Sequence, residues 1–438
     1  MNKSFKDIIV VGFALFAMFF GAGNLIFPPT LGLAAGSSWF PAMFGFVLTG
    51  IGLPLLGIIA ASKAGGSLED VGNKVSKGFS KVFAIAIMLS IGPLFAIPRT
   101  AATTFEMGVE PFLSSKSTLT VAIVSIVFFG IVVFFTINPS KVIDKVGKIL
   151  TPFLLIALLI IVIKGVITPI GDPVSTGVTG PFSKGFTEGY NTMDALASMV
   201  FAGIVVSYFV EKGYSDLTSQ VKLTIKAGII SSIGFIIIYG GLTYLGATAS
   251  SVYESNIGQT ALTIGIVRHL LGTTGQSILS IAVSLACLTT AVGLTATCGQ
   301  YFSKLTDERI SYKAMVLIIA GFSCVMSIVG VSGIVKISLP VLIMLYPIAT
   351  VLMIMNVFDR FIINKNMYKG AVIGAFVVSL FEALKAAKIP VDVLNNFVNY
   401  VIDNFISKIP LAPYSLTWVI PSIVCMIIAM LFKDKSRA

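Results

Sequence analysis

The residues with the means to do chemistry in this chain are uncharged. Gly21, Ala22, Gly23 and Asn24 stand together in the middle of the apolar stretch IIVVGFALFAMFFGAGNLIFPPTLGLAAG, with Pro28 and Pro29 just after. Glycine frees the backbone, and each proline removes an intrahelical hydrogen bond. N–H and C=O groups left unpaired in hydrocarbon are costly unless a ligand, an ion or buried water supplies partners. A half-helix N-terminus offers N–H groups and a positive dipole end, suited to a carboxylate. A half-helix C-terminus offers carbonyls, suited to a cation or an ammonium, so the two together match an amino-acid zwitterion. The alternative use of such small residues is close packing of helices.

A second apolar stretch, NTMDALASMVFAGIVVSYFV, carries Phe201, Ala202 and Gly203 near its middle and is expected to break there. Phe19, Phe20, Ile26, Phe27, Met199 and Phe201 surround the two breaks and suit an aliphatic side chain, and no buried acid is expected beside either. In SLACLTTAVGLTATCGQ, Ala286, Thr289 and Thr290 share one helix face. Two hydroxyls and a freed carbonyl, with carbonyls near Ala17 and Phe20, make a set of hard, neutral oxygens suited to Na⁺. The alternative is that each threonine bonds to a carbonyl three or four residues back. Arg99 and Asp194 are the only charges expected inside or at the edge of a span, both toward its outer end. They are read as a paired outer gate, against the simpler reading of a snorkelling arginine and a helix cap.

The elements that must position these groups follow from composition. Of 438 residues, 56% are hydrophobic and 11% charged, against about 25% charged in soluble proteins. A span needs about 20 mostly apolar residues. Twelve stretches qualify, near 7–33, 39–62, 80–105, 117–137, 144–168, 190–210, 220–248, 274–302, 314–335, 337–358, 367–386 and 414–432. They are continuously apolar rather than alternating, which excludes a β-barrel. The first is too long, and lacks the cleavage site, for a signal peptide. The fold class is therefore an all-α polytopic membrane protein.

Spans one to five and six to ten form blocks of similar length, and an odd number of spans reverses the second block across the membrane, the arithmetic of an inverted repeat. The expected organisation is a first repeat over 1–168, an outside loop and second repeat over 169–358, and accessory spans over 359–438. Residues 169–189 read as an outside loop and 249–273 as a stretch with a helix too short to span. Residues 391–408, with Leu394, Val398, Val401 and Phe405 at helical spacing, read as an interfacial amphipathic helix. With both termini inside, most basic residues fall on the cytoplasmic side, Lys433, Lys435 and Arg437 among them, and only a minority outside, including Lys116 and Lys164. The formal net charge of +11 is thus an orientation signal in a cell membrane rather than a nucleic-acid surface. Cys287, Cys298, Cys324 and Cys425 lie in spans, and His269 is the lone histidine, so neither a metal centre nor a histidine-based enzyme is expected. A phosphate-cradling loop for ATP is not found in the sequence, and no obligate protein partner is indicated beyond the bilayer.

The motifs FFGAGNLIFPPTLG, GPLFAIPRTAATTFE and MDALASMVFAGIVV resemble those of the bacterial branched-chain amino acid:cation symporters, over essentially the whole chain. The resemblance implies the leucine-transporter fold of the amino acid–polyamine–organocation superfamily, twelve helices with helices one and six broken, and Na⁺-coupled (or H⁺-coupled) uptake of leucine, isoleucine and valine by alternating access. It implies substrate contact at Gly21, Ala22, Gly23 and Asn24, faced by Phe201, Ala202 and Gly203 with Ser198 nearby. It implies Na⁺ at Ala17, Phe20, Ala286, Thr289 and Thr290. The rival readings are H⁺ coupling, another small neutral amino acid as substrate, or a non-transporting amino-acid sensor.

Overall fold

The computed structural model of the chain describes residues 3–115, 117–137 and 141–432; Lys116, Lys433, Lys435 and Arg437, used above to orient the chain, lie outside these residues. The described residues are helical, without a strand. Span one is two helices, α1 (Lys3–Phe19) and α2 (Ala22–Ala35), parted at Phe20–Gly21. Pro28 and Pro29 do not end the second half, which runs on through both. Lacking N–H groups, they instead leave the carbonyls of Asn24 and Leu25 without their usual helical donors. Span two is α3 (Trp39–Val47) and α4 (Leu53–Ala64), joined by wide π-type turns over Leu48–Gly52. The short α5 (Leu68–Asn73) follows, capped by Ser67. Span three is α6 (Lys77–Leu89) and α7 (Ala96–Thr103), with a non-helical joint at Gly92. Spans four and five are α8 (Thr118–Ile137) and α9 (Lys141–Ile167).

The segment expected to be an outside loop contains a helix, α10 (Pro181–Glu188), which with α11 (Asp194–Glu211) makes span six. Pro181 at its first turn and the left-handed Gly180 before it are local start signals inside a Gly- and Pro-rich stretch. Next come α12 (Leu217–Thr248) and α13 (Gln259–Leu305), the latter bent at Gly272, where φ is 65°. Its short first arm is the helix expected within 249–273. Then come α14 (Tyr312–Ser327), α15 (Val331–Val357), α16 (Asn366–Ala387), α17 (Asp392–Asn404) and α18 (Val419–Met430). The α17 helix buries Val398 and Ile402, one turn apart. By length and composition, eight helical stretches among the described residues can cross a membrane, and three shorter apolar helices accompany them. The expected twelve are therefore not reproduced one for one: the second half of span one runs on into span two over Ala22–Ala64, and some helices, such as Tyr312–Ser327 and Val419–Met430, are shorter than a full span.

Lipid-facing and core-facing sides are written into the helices. On α8, Leu119, Ile123 and Ile126 are exposed while Val121, Ser125 and Phe128 are buried. In span one, Leu15, Leu25, Ile26, Phe27 and Leu31 are all but inaccessible. Backbones meet where glycine permits it. A Cβ on Gly32 would stand 1.9 Å from the Thr243 carbonyl oxygen, and one on Gly246 1.9 Å from that of Pro29, so α2 and α12 touch main chain to main chain. Gly45 and Gly185 do the same for α3 and α10, at 2.2 and 1.8 Å from the carbonyl oxygens of Phe182 and Ala42. Both halves of span one pack on α12, while α10 and α11 pack on α3 and α4 respectively.

Candidate substrate site

The first break is closed by its own sequence. Phe20 still donates its N–H to the Phe16 carbonyl (2.9 Å), but Gly21 turns into extended backbone (φ −125°, ψ −168°). Its N–H goes to the Asn24 Oδ1 at 3.1 Å. The Ala17 carbonyl thereby loses its helical donor, and α2 opens with the unpaired N–H groups of a helix start.

The second break is not where the sequence suggested. Phe201, Ala202 and Gly203 lie inside the uninterrupted α11. Gly203 serves close approach instead: a Cβ there would lie 2.9 Å from the Gly66 carbonyl oxygen. A small residue does not break a helix unless something diverts its hydrogen bonds, and nothing does so here. The interruption falls at Gly189–Thr192, a tight 3₁₀ turn, and at Met193, which is left-handed (φ 65°, ψ 5°). Arg99 supplies the diversion. Its Nη1 donates to the Asn191 carbonyl at 2.6 Å and its Nη2 to the Thr192 carbonyl at 3.4 Å.

Moving the break moves Asp194. Expected at the outer edge of its span, it is the first residue of α11, beside the first break, and only 6% exposed. The expectation that no buried acid stands near a break is thus corrected. A carboxylate is stabilised there by the positive end of α11. Asn24 Nδ2 donates to Asp194 Oδ2 at 2.5 Å and also to the Tyr239 hydroxyl oxygen, and Tyr239 in turn reaches Oδ2 at 3.5 Å. Arg99, 4% exposed, lies over the Phe27 ring at 5.2 Å. Arg99 and Asp194 form no direct ion pair, contrary to the paired gate expected of them, because each is held by other partners.

Between the breaks lies a small cavity. Of the residues singled out in the sequence, Gly21, Ala22, Asn24, Arg99, Asp194, Phe201 and Thr290 line it. Phe19, Ile91, Ala197 and Leu294 supply an apolar wall. The others stand behind it. Gly23 packs on Arg99, where a Cβ would be 2.9 Å from Nη2. Ser198 donates to the Ala195 carbonyl at 2.6 Å and faces Gly57 of α4. Ala202, Gly203, Ala17, Phe20, Ala286 and Thr289 are not in the lining. Thr289 donates its hydroxyl to the Ala286 carbonyl at 3.0 Å, the back-bonding alternative, whereas Thr290 makes no hydrogen bond among the described residues.

Sequence reading missed Thr192, Met193 and Tyr239. Thr192 and Asp194 just ahead of an apolar run are a helix-start signal, and a tyrosine hydroxyl in mid-span requires a partner. Over 429 residues the chain is 42% identical to the branched-chain amino acid permease BraB of Bacillus subtilis (strain 168), covering 97% of this chain and 94% of that protein. It is 37% identical, over 97% of itself and 95% of the relative, to the branched-chain amino acid transport system 2 carrier protein of Pseudomonas aeruginosa. Among solved structures it is similar to Mhp1 in an inward-facing conformation (TM-score 0.58, 15% identity, 97% and 90% covered). It is also similar to a Na⁺-coupled sialic acid symporter in a substrate-bound outward-open state (TM-score 0.60, 13% identity, 98% and 90% covered). Those identities speak for the fold alone, which is that of the leucine-transporter class. The profile of the family described as branched-chain amino acid transport protein matches residues 4–436, and the chain belongs to that family of membrane transporters.

Proposed function

We propose that the chain is a secondary active importer of leucine, isoleucine and valine, coupled to Na⁺ entry and working by alternating access. The observation that carries this reading is the cavity itself, formed where two interrupted helices meet and walled by both unpaired backbone and apolar side chains. In this reading 1–168 and 169–358 are the inverted repeats, 359–438 is accessory, and both termini are cytoplasmic in the cell membrane. Gly21, Ala22, Asn24 and Phe201 contact substrate, with Gly23, Ser198, Ala202 and Gly203 holding them from behind.

The donor set for Na⁺ fits in its chemistry. Thr290 offers an uncommitted hydroxyl oxygen at the break, α1 ends in carbonyls at Ala17 and Phe20, and Thr289 keeps lone pairs after donating to Ala286. Each charge entering down the potential supplies about 2.3 kcal/mol per 100 mV. H⁺ coupling has one observation in its favour, the buried carboxylate of Asp194 at the joint of both breaks.

Uptake of radiolabelled leucine into proteoliposomes under separately imposed Na⁺ and pH gradients tests the reading. Na⁺-driven accumulation is expected, with Thr290→Ala raising the Na⁺ needed for half-maximal uptake by about tenfold, as for loss of one ligand. Accumulation that follows the pH gradient without Na⁺ would replace Na⁺ by H⁺. Leucine binding without uptake under either gradient would make the protein a sensor.

A further inference from the structure

We propose that Arg99 and Asp194 read the two charged ends of the amino acid, Arg99 taking the α-carboxylate and Asp194 the α-ammonium. The inference rests on the amino-acid reading above and deepens it, since side chains rather than backbone alone would then select the zwitterion.

Both charges are more than nine-tenths buried, and both line the same cavity. They do not neutralise each other by contact. Each is anchored by neighbours beside the cavity. Arg99 spends Nη1 on the Asn191 carbonyl and holds the Thr192 carbonyl only at 3.4 Å through Nη2, while its Nε is buried without a partner. Nε and Nη2 share the side edge of the guanidinium, which matches a carboxylate's two oxygens. Gly23 packs against the guanidinium from behind, where a Cβ would stand 2.9 Å from Nη2, and so fixes its position. Asp194 takes hydrogen bonds from Asn24 and Tyr239 on Oδ2, and the Thr192 side chain also reaches its carboxylate.

Two opposite buried charges held apart are costly until each finds a counter-charge. An amino acid supplies both in one molecule, and its aliphatic group then faces Phe19, Ile91, Phe201 and Leu294. An amine or an acid with only one charged end leaves the other pole unpaired, so discrimination is larger than the lost contact alone.

The test is competition for radiolabelled leucine binding to purified protein and, in parallel, for uptake. The probes are leucinol, which lacks the carboxylate, and the 2-oxo acid of leucine, which lacks the ammonium. Both are expected to bind wild type at least about 100-fold more weakly than leucine. Arg99→Gln should weaken leucine by about tenfold to a hundredfold more than it weakens leucinol, which feels only the loosened second break; Asp194→Asn should likewise weaken leucine more than the oxo acid. Equal losses of leucine and leucinol in the arginine variant, or of leucine and oxo acid in the aspartate variant, would overturn the proposal. If either neutral variant unfolds in detergent, Arg99→Lys and wild type decide. The lysine variant, keeping the charge but losing the two-pronged edge, should bind leucine about tenfold more weakly with leucinol unmoved. Wild-type leucinol or oxo-acid binding within threefold of leucine sinks the idea outright. A protein that shows the expected binding pattern but never accumulates leucine would overturn the importer reading and leave this one standing.

Discussion

The two helix breaks solve one problem with opposite means. In span one the interruption is satisfied from within: Gly21 donates its N–H to Asn24 three residues on, and Gly21 itself sits at a φ any residue adopts. In span six it is satisfied from outside. The freed carbonyls of Asn191 and Thr192 are taken by Arg99 of span three, and Met193 occupies a left-handed conformation that favours glycine. The first break is a local motif. The second exists only when another helix is in place, so its geometry reports on the packing of the whole bundle. Asn24 then joins the two through Asp194.

Asn24 touches both breaks, so its substitution should have the largest effect. Asn24→Asp sets a second carboxylate against Asp194 in a buried site, and like charges there are strongly unfavourable. Leucine uptake should fall by at least about 100-fold, and by about tenfold in Asn24→Ala, which loses the cap and both donor contacts. A silent alanine variant would show that the first break is not held by this residue.

Gly23→Ala should come next. Its new methyl meets Phe27 at 2.8 Å and Arg99 at 2.9 Å, so the ring or the guanidinium must shift, which disturbs the hold on the Asn191 and Thr192 carbonyls. Overpacking of this kind costs about 1–3 kcal/mol, and a lower unfolding temperature in detergent with about tenfold weaker leucine binding is expected. Normal binding would separate the two breaks.

The smallest effects lie in the backbone itself. At position 193, glycine should be more stable than alanine by about 1 kcal/mol, because only glycine enters the left-handed region freely. At position 21 the sign should reverse, Gly21→Ala being neutral or stabilising by up to about 1 kcal/mol. Its Cβ would meet nothing nearer than 3.8 Å. Thermal unfolding of the four proteins measures both differences, and equal signs would remove the contrast drawn between the breaks.

What could be read in the sequence follows the same division. The first break was visible because everything it needs, two glycines and an asparagine, lies within four residues; only the proline pair misled, since both continue α2. The second was hidden because its cause, Arg99, is remote in sequence and its strained residue is a methionine. Gly203 is the more conspicuous residue in sequence, yet its job is to admit the Gly66 carbonyl. Apolar stretches and the helix near 392–404 are legible from apolar periodicity, a local property. Tyr239 was not, because one hydroxyl barely alters the hydropathy of its span, yet in a dry interior it must be partnered. Segment 181–188 looked like loop because glycine and proline dominate its surroundings.

The glycine contacts of α12 carry a mechanical consequence. That helix runs unbroken over Leu217–Thr248, about 48 Å at 1.5 Å per residue, and both halves of span one are fastened along it, the second half main chain to main chain through Gly32 and Gly246. It acts as a splint across a fracture: the hydrogen-bond ladder is cut at Gly21, yet the two fragments keep their alignment, and bending there means bending α12 as well. Span six has a weaker splint. Its halves are fastened to α3 and α4, which are themselves joined by loosened turns at Leu48–Gly52. Stiffness is therefore distributed unevenly across the cavity, with a braced wall on one side and a compliant one on the other.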